Sequence, residues 1–202
     1  MSDHLKRITA PRSWNVGRKS HFWATKPAPG PHSLEGSVPL VMVLRDYLHV
    51  CDNAREARRV LADGKVMVDQ RVVRDPKRSV GLMDVVSLPA AKADYRCLLD
   101  HHGRLHFSEI KATEAKWKLL RVEGKTTVRG GKTQLNLHDG SNLLYEDTVA
   151  TGDVLQVALP GRKIKKVLKF DKGAPALVTG GAHVGTIAPL KEALMTRSPR
   201  PN

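Results

Sequence analysis

The apolar residues of this chain come in short bursts, and that limits what it can become. The longest, Val38 to Leu44, already contains Pro39. A membrane-spanning helix needs about twenty apolar residues, so membrane insertion is not expected. Later bursts are of strand length and are punctuated by Gly81, Gly130-Gly131, Asp139-Gly140 and Gly152. Short runs between turn residues predict short strands and small modules rather than one large helical core. A length of 202 residues allows one or two domains with ordinary cores, or several modules with thin ones.

Charge narrows the choice of partner. There are 34 Lys and Arg against 20 Asp and Glu, a formal charge of +14. A polyanion is the first candidate, because phosphates neutralised by Lys or Arg release condensed counterions. Membrane surfaces are also anionic, so charge alone does not decide. The opening Met1-Ser2-Asp3-His4-Leu5-Lys6-Arg7 has no apolar core and is not a secretory signal. Cys51 and Cys97 stand far apart, with neither a disulfide framework nor zinc-type spacing. They are expected to be small core residues, and a cytoplasmic location follows.

Residues 1–37 read as an extended basic, Pro/Gly-rich arm. Over its first thirty-odd residues Lys6, Arg7, Arg12, Arg18, Lys19 and Lys26 face one acid, Asp3, and Lys26-Pro27-Ala28-Pro29-Gly30-Pro31-His32 is too proline-rich for regular structure. Alone it cannot bury enough apolar surface to offset its ordering entropy; it could become ordered against a folded body or RNA. Trp14 and Trp23 would either pin the arm to its own protein or stack on bases.

Residues 38–92 read as two helices and a small antiparallel sheet. Leu40, Val43, Leu44 and Leu48 recur at helical spacing, and Asp52 or Asn53 can cap a helix over Ala54 to Ala62 that Asp63-Gly64 ends. Strands follow at 65–68, 71–73 and 84–88. Residues 93–170 read as a mainly β domain, with a hairpin around His101-His102-Gly103 and a short helix near 113–118. Further strands are expected at 126–128, 133–138 and 153–159. The run from Arg162 to Phe170 would present a basic edge. The fold class is therefore α+β, mainly β.

The helix over 54–62 carries the most chemistry. Ala54, Ala57, Val60 and Leu61 form its inner stripe, whereas Arg55, Arg58 and Arg59 share an outward sector. Guanidinium forks suit phosphate oxygens. With Lys65 and Arg71 from the strands, this surface would dock a structured RNA. An aromatic content of 4% argues against a base-stacking sheet of the RRM type. Phosphate contact and shape are the expected mode.

Several segments together resemble the small-subunit ribosomal protein family S-four-e of archaea and eukaryotes, over residues 4 to 192. His4-Leu5-Lys6-Arg7, Ala10-Pro11 and Trp14 are similar to its basic arm, and Pro29-Gly30-Pro31-His32 to its Pro-Gly-Pro-His element. Leu44-Arg45-Asp46, Asn53 to Ala57, Gly64 to Asp69 and Gly81 to Val85 resemble its S-four RNA-binding domain. Lys125 to Val128, Gly130-Gly131-Lys132 and Gln134 to Gly140 resemble its central β-domain. Lys172-Gly173 and Val178 to Gly185 are similar to the start of a KOW motif over 171–192.

The resemblance implies a ribosomal protein partly buried in small-subunit rRNA beside other small-subunit proteins, with no cofactor, metal, small-molecule substrate or catalytic residue. The candidate RNA-binding residues are Lys6, Arg7, Arg12, Trp14, Lys19, His32, Arg55, Arg58, Arg59, Lys65, Arg71, Arg129 and Lys132. Two departures stand out. Gln70 replaces the family's turn glycine, which predicts a different turn type. The family pattern also continues beyond the KOW start, so a truncated element is expected, followed by a disordered or RNA-draped tail over 193–202.

Rival readings fare worse. Gly124-Lys125-Thr126 and Gly131-Lys132-Thr133 lack the earlier glycine of a P-loop, Leu119 and Thr126 standing there instead. Gly103-Arg104-Leu105-His106 resembles a pseudouridine synthase strand but has histidine where that chemistry needs aspartate. His101, His102 and His106 lack a supporting cluster of metal ligands. A free stress or ribosome-rescue factor usually pairs the helical module with a basic tail, and the central β-domain weighs against that class.

Overall fold

The computed structural model describes residues 4–145 and 148–192, so the tail expected over 193–202 lies outside the described residues. The basic arm is not extended. It folds into a two-stranded antiparallel ribbon, β1 (His4–Lys6) with β2 (Trp23–Thr25), and Leu5 faces Ala24 across it. Both of these residues, with Ala10 and Trp14, pack into the core of the neighbouring module. The body thus supplies the apolar partner that the segment lacks by itself.

The first module starts at β3 (Ser37–Pro39), which pairs with β6 (Ser79–Gly81). Helix α1 (Leu40–Met42) continues as a wider π-type turn through Val43–Tyr47, with Leu40 to Leu44 all buried. Helix α2 (Ala54–Ala62) occupies the predicted residues. The Asn53 side chain accepts from the Glu56 backbone N–H, Ala57 and Leu61 are buried, and Gly64 leaves the helix at φ 71°.

Strands β4 (Met67–Val68) and β5 (Arg71–Val72) form a hairpin through Asp69 and Gln70. Both turn residues have positive φ, 52° and 61°, the pattern of a type I′ turn. Glutamine thus stands at a left-handed position of the kind that glycine favours. Gln70 accepts the left-handed backbone, and its side-chain amide donates to the Ala115 carbonyl at 3.4 Å.

With β7 (Val85–Leu88), β8 (Ala93–Leu99) and β9 (Leu105–Ile110), these strands make an antiparallel sheet in the order β5-β4-β7-β8-β9. The hairpin around His101-His102-Gly103 is as predicted. It extends the first sheet, however, so residues on both sides of position 92 share one sheet. Cys51 and Cys97 are buried in the core beneath it.

The predicted helix near 113–118 shrinks to one 3₁₀ turn, Glu114–Lys116. From Trp117 onward the period is two: Lys118, Leu120 and Val122 point inward along β10 (Trp117–Thr127). A second five-stranded sheet follows, with β11 (Thr133–Leu137), β12 (Asn142–Leu144), β13 (Val154–Ala158) and β14 (Lys163–Leu168) in the order β12-β11-β10-β13-β14. Its core is Leu120, Val122, Leu135, Leu137, Val149, Leu155 and Val157. A smaller cluster, Val85, Ala115 and Leu159, joins the two modules.

A last hairpin, β15 (Pro175–Leu177) with β16 (Ile187–Pro189), reaches back to the first sheet. Gly185 lies so close to the Asp100 carbonyl that a side chain there would collide with it. Among the described residues no helix is long and apolar enough to cross a membrane.

Leu120 is fully buried at the centre of the second core. Leu120→Ala should lower the unfolding free energy by about 2–5 kcal/mol through lost transfer energy and a residual cavity. Thr127→Ala, at the exposed end of the same strand, should stay within about 0.5 kcal/mol of the parent. Urea midpoints of the two variants check both values.

Candidate nucleic-acid interface

Arg55, Arg58 and Arg59 are all exposed on α2. The acid on this helix is occupied elsewhere: Glu56 accepts the Asp52 backbone N–H at 3.0 Å, reciprocating the Asn53 cap. Asp63 accepts from Lys65 at 2.9 Å, with both side chains about half exposed, so the pair contributes little to stability. Arg71 is exposed on β5. The guanidinium of Arg74 packs toward Gly64, which brings a further cation beside the end of α2.

Other cations come from separate elements. Lys6, Arg12 and Lys19 are exposed on the ribbon and its loop. Exposed Arg129 and Lys132 flank Gly130 and Gly131 at the β10–β11 turn, where φ of 85° and 71° requires glycine. The turn closes with Val128 N–H donating to the Lys132 carbonyl at 2.9 Å. The predicted basic edge is β14, where Lys163, Lys165 and Lys166 are exposed. Lys165 is the extra residue at a register slip against Gln156 and Val157, an irregularity that discourages edge-to-edge pairing.

Three expected RNA-binding residues are instead turned into the protein. Arg7 is buried: its Nε donates to the Gly17 carbonyl at 2.7 Å and its Nη2 to Asp46 at 3.3 Å. Trp14 is 2% exposed and donates its indole N–H to the Ser37 carbonyl at 2.6 Å, so its face is closed to bases. His32 has a side chain 5% exposed, lies over Gly81 and bonds Asp84 at 2.8 Å. Each anchors the arm, because burying it with a partner orders a segment that has no core of its own.

Those anchors lead to a buried ionic cluster that joins the modules. The Lys118 ammonium, 2% exposed, lies 2.6 Å from Asp69, 3.1 Å from Asp84 and 2.9 Å from Asp139. Asp84 also accepts from the His32 Nε2–H and from Gly81 N–H at 3.0 Å. Burial alone would raise the Asp84 pKa, but the His32 hydrogen bond and the Lys118 charge hold it well below the usual carboxylate range. Asp139 is likewise lowered, with burial outweighed by Lys118 and Ser141. Asp69 goes the other way, raised by burial and by the Asp84 charge despite Lys118. Lys118 is desolvated, yet three carboxylates keep it charged far up the scale.

Beside the cluster, His138 Nδ1 accepts the Arg121 backbone N–H at 3.1 Å, so Nε2 donates to the Leu82 carbonyl at 3.3 Å. Burial lowers its pKa. Arg96 adds a second brace. Its Nη2 donates to the carbonyls of Glu114 and Trp117, and its guanidinium lies 4.4 Å from the centroid of the Trp117 ring. His101, His102 and His106 are exposed. Among the described residues, no group of three His, Cys, Asp or Glu is placed to hold a metal ion.

Sequence reasoning missed Arg74 and Phe22, and left Trp23 undecided. It also missed Lys118, whose signal was a place on the inward alternation of β10 with Leu120 and Val122.

Three stretches of the chain match known protein families. The pattern of "Ribosomal family S4e" matches residues 91–164, an S4 domain matches 38–86, and an RS4NT domain matches 1–35. Small ribosomal subunit protein eS4 of Methanothermobacter thermautotrophicus is 46% identical over 199 residues, 98% of this chain and 82% of that protein. The chain belongs to ribosomal family S4e. The S4e protein of Methanosphaera stadtmanae is 44% identical over 98% of this chain and 83% of its own length. The crystal structure of the 30S ribosomal protein S4e from Thermoplasma acidophilum superposes with a TM-score of 0.72 at 35% identity, covering 81% of this chain and 84% of that one.

The S4e cluster predicts two stability effects. Lys118→Met removes the cation bonded to both Asp69 and Asp139 and should cost about 3–5 kcal/mol. Adding Asp69→Asn should recover part of this, since that carboxyl is the one already pushed toward protonation.

A neutral buried His138 has a folded pKa below its unfolded value, so stability is whole above about pH 6.5 and falls as pH drops through that value. His138→Gln should remove this limb, read as the difference between parent and variant urea midpoints from pH 7.5 to 5. Asp84 and Asp139, lowered in the fold, should produce a further loss below about pH 4 in both proteins.

Proposed function

We propose that this chain is a structural constituent of the small ribosomal subunit that holds folded rRNA through phosphate and shape contacts, without catalysis. One observation carries the reading. Exposed Lys6, Arg12, Lys19, Arg55, Arg58, Arg59, Lys65, Arg71, Arg129 and Lys132 stand on the ribbon, α2, the β4–β5 hairpin and the β10–β11 turn of one braced body. Cations held in fixed relative positions suit a folded polyanion, because little ordering is needed on binding. The relatives are small-subunit proteins by name, which supports placing this chain on the ribosome in the cytoplasm beside other small-subunit proteins.

In this reading residues 1–37 are the arm, 38–92 the S4 module, 93–170 the central β-domain, whose first two strands extend the S4 module's sheet, and 171–192 a KOW-like element. The β15–β16 hairpin, docked on the Asp100 turn, would be that element. Arg7, Trp14 and His32 serve the arm's attachment rather than RNA.

The affinity of the full chain for small-subunit rRNA should fall steeply and linearly with salt on logarithmic axes. Changing Arg55, Arg58 and Arg59 together to glutamine should reduce the slope by about 2–3 if each meets one phosphate. A nearly flat salt dependence of the parent would sink the phosphate mode. An unchanged slope in the triple variant would remove α2 from the interface. Sedimentation of a cell lysate separates this role from a free rescue factor: the protein should co-migrate with small subunits, not remain in a soluble pool.

A further inference from the structure

The β1–β2 ribbon has two unlike faces. Its alternation sends Leu5 and Ala24 down into the core, and therefore sends His4, Lys6 and Trp23 outward. Trp23 is 53% exposed, and Phe22, just before the strand, is 64% exposed. The two rings meet edge to face with centroids 4.6 Å apart, and His4 lies 5.5 Å from Trp23 on its other side. The Lys6 ammonium stands 5.7 Å from the centre of the Phe22 ring.

Two adjacent large aromatics so exposed need an explanation in a chain with only nine Phe, Trp and Tyr. The core does not use them, because Trp14 and Ala24 already tie the ribbon to the body. Their surroundings indicate what does. From His4 to Leu34 there is no Asp or Glu, while Lys6, Arg12 and Lys19 are exposed in the same segment. An apolar protein partner would leave these cations unmatched. A nucleotide matches both parts, with a base against the ring and a phosphate against the ammonium.

We propose that Trp23 and Phe22, with His4 and Lys6, form a stacking platform for unpaired RNA bases. This is distinct from the phosphate contacts assigned to α2 and the β10–β11 turn. It rests on the rRNA-binding reading and adds to it a class of nucleotide, single-stranded rather than helical. Recognition is by ring faces and charge, and so tolerates any base.

The test uses the full chain and two probes, a single-stranded oligoadenylate and a blunt RNA duplex of equal phosphate number. Oligoadenylate should quench tryptophan fluorescence, and Trp23→Phe should abolish the quench while keeping most of the affinity. Phe22→Ala with Trp23→Ala should weaken oligoadenylate binding about tenfold or more, and leave duplex binding within about twofold and circular dichroism unchanged. Binding of duplex and rRNA with no quench in the parent would overturn the platform and leave the rRNA reading standing. Equal oligoadenylate affinity in parent and double variant would do the same. Failure of the parent to bind small-subunit rRNA, duplex or oligoadenylate would instead overturn the rRNA reading itself.

Discussion

One ammonium group sits where the two sheets meet, and the relative placement of everything else follows from it. Lys118 is the second residue of β10, Asp69 and Asp84 come from the first module, and Asp139 from the turn after β11. Taking four charged groups out of water costs several kcal/mol each unless geometry compensates. Here it does: every carboxylate meets the ammonium, and Asp84 has two further donors in His32 and Gly81. Such a cluster adds less net stability than its distances suggest, because apolar packing could replace it. What it adds is uniqueness. A greasy contact between sheets can slide, whereas three carboxylates around one ammonium permit a single arrangement.

The same cluster explains how a polar, proline-rich segment becomes part of the body. His32 ends the arm inside the cluster through Asp84, Trp14 is closed over by the first core, and Arg7 meets Asp46. Between these three attachments the ribbon needs only Leu5 and Ala24 to hold its inner face. Its other face presents the exposed Lys6 and Trp23. Residues whose chemistry suggested RNA are therefore divided: those aimed inward fix the arm, and those aimed outward present charge and rings.

How far this was legible in the chain depends on the distance between partners. Helix α2, its Asn53 cap and its exposed arginine sector follow from contacts three or four residues apart, which a sequence displays directly. The His101-His102-Gly103 hairpin and the basic edge at Lys163 to Leu168 are local in the same way. The inward residues are not. Arg7 finds Asp46 39 positions away, Lys118 finds Asp84 across 34, and His32 finds Asp84 across 52. A lysine, an arginine and a histidine read singly look like surface; only the fold supplies the carboxylates that make them core. Gln70 shows the reverse case. A residue that looked wrong for its turn is accommodated because Ala115, far along the chain, receives its amide.

The split between inward and outward cations bears on how such a protein can bind. Flexible basic tails lose conformational freedom on RNA, and each ordered side chain and backbone unit subtracts from affinity. Here Arg7, Trp14, His32 and Lys118 hold the arm and the two sheets through contacts within the chain itself. On the proposed function the outward cations act from fixed positions, so their spacing would select an RNA surface of matching shape, where a tail would accept any. On that reading the interior contributes to recognition through rigidity: loosening the Lys118 cluster would turn one rigid grip into two independent, weaker ones.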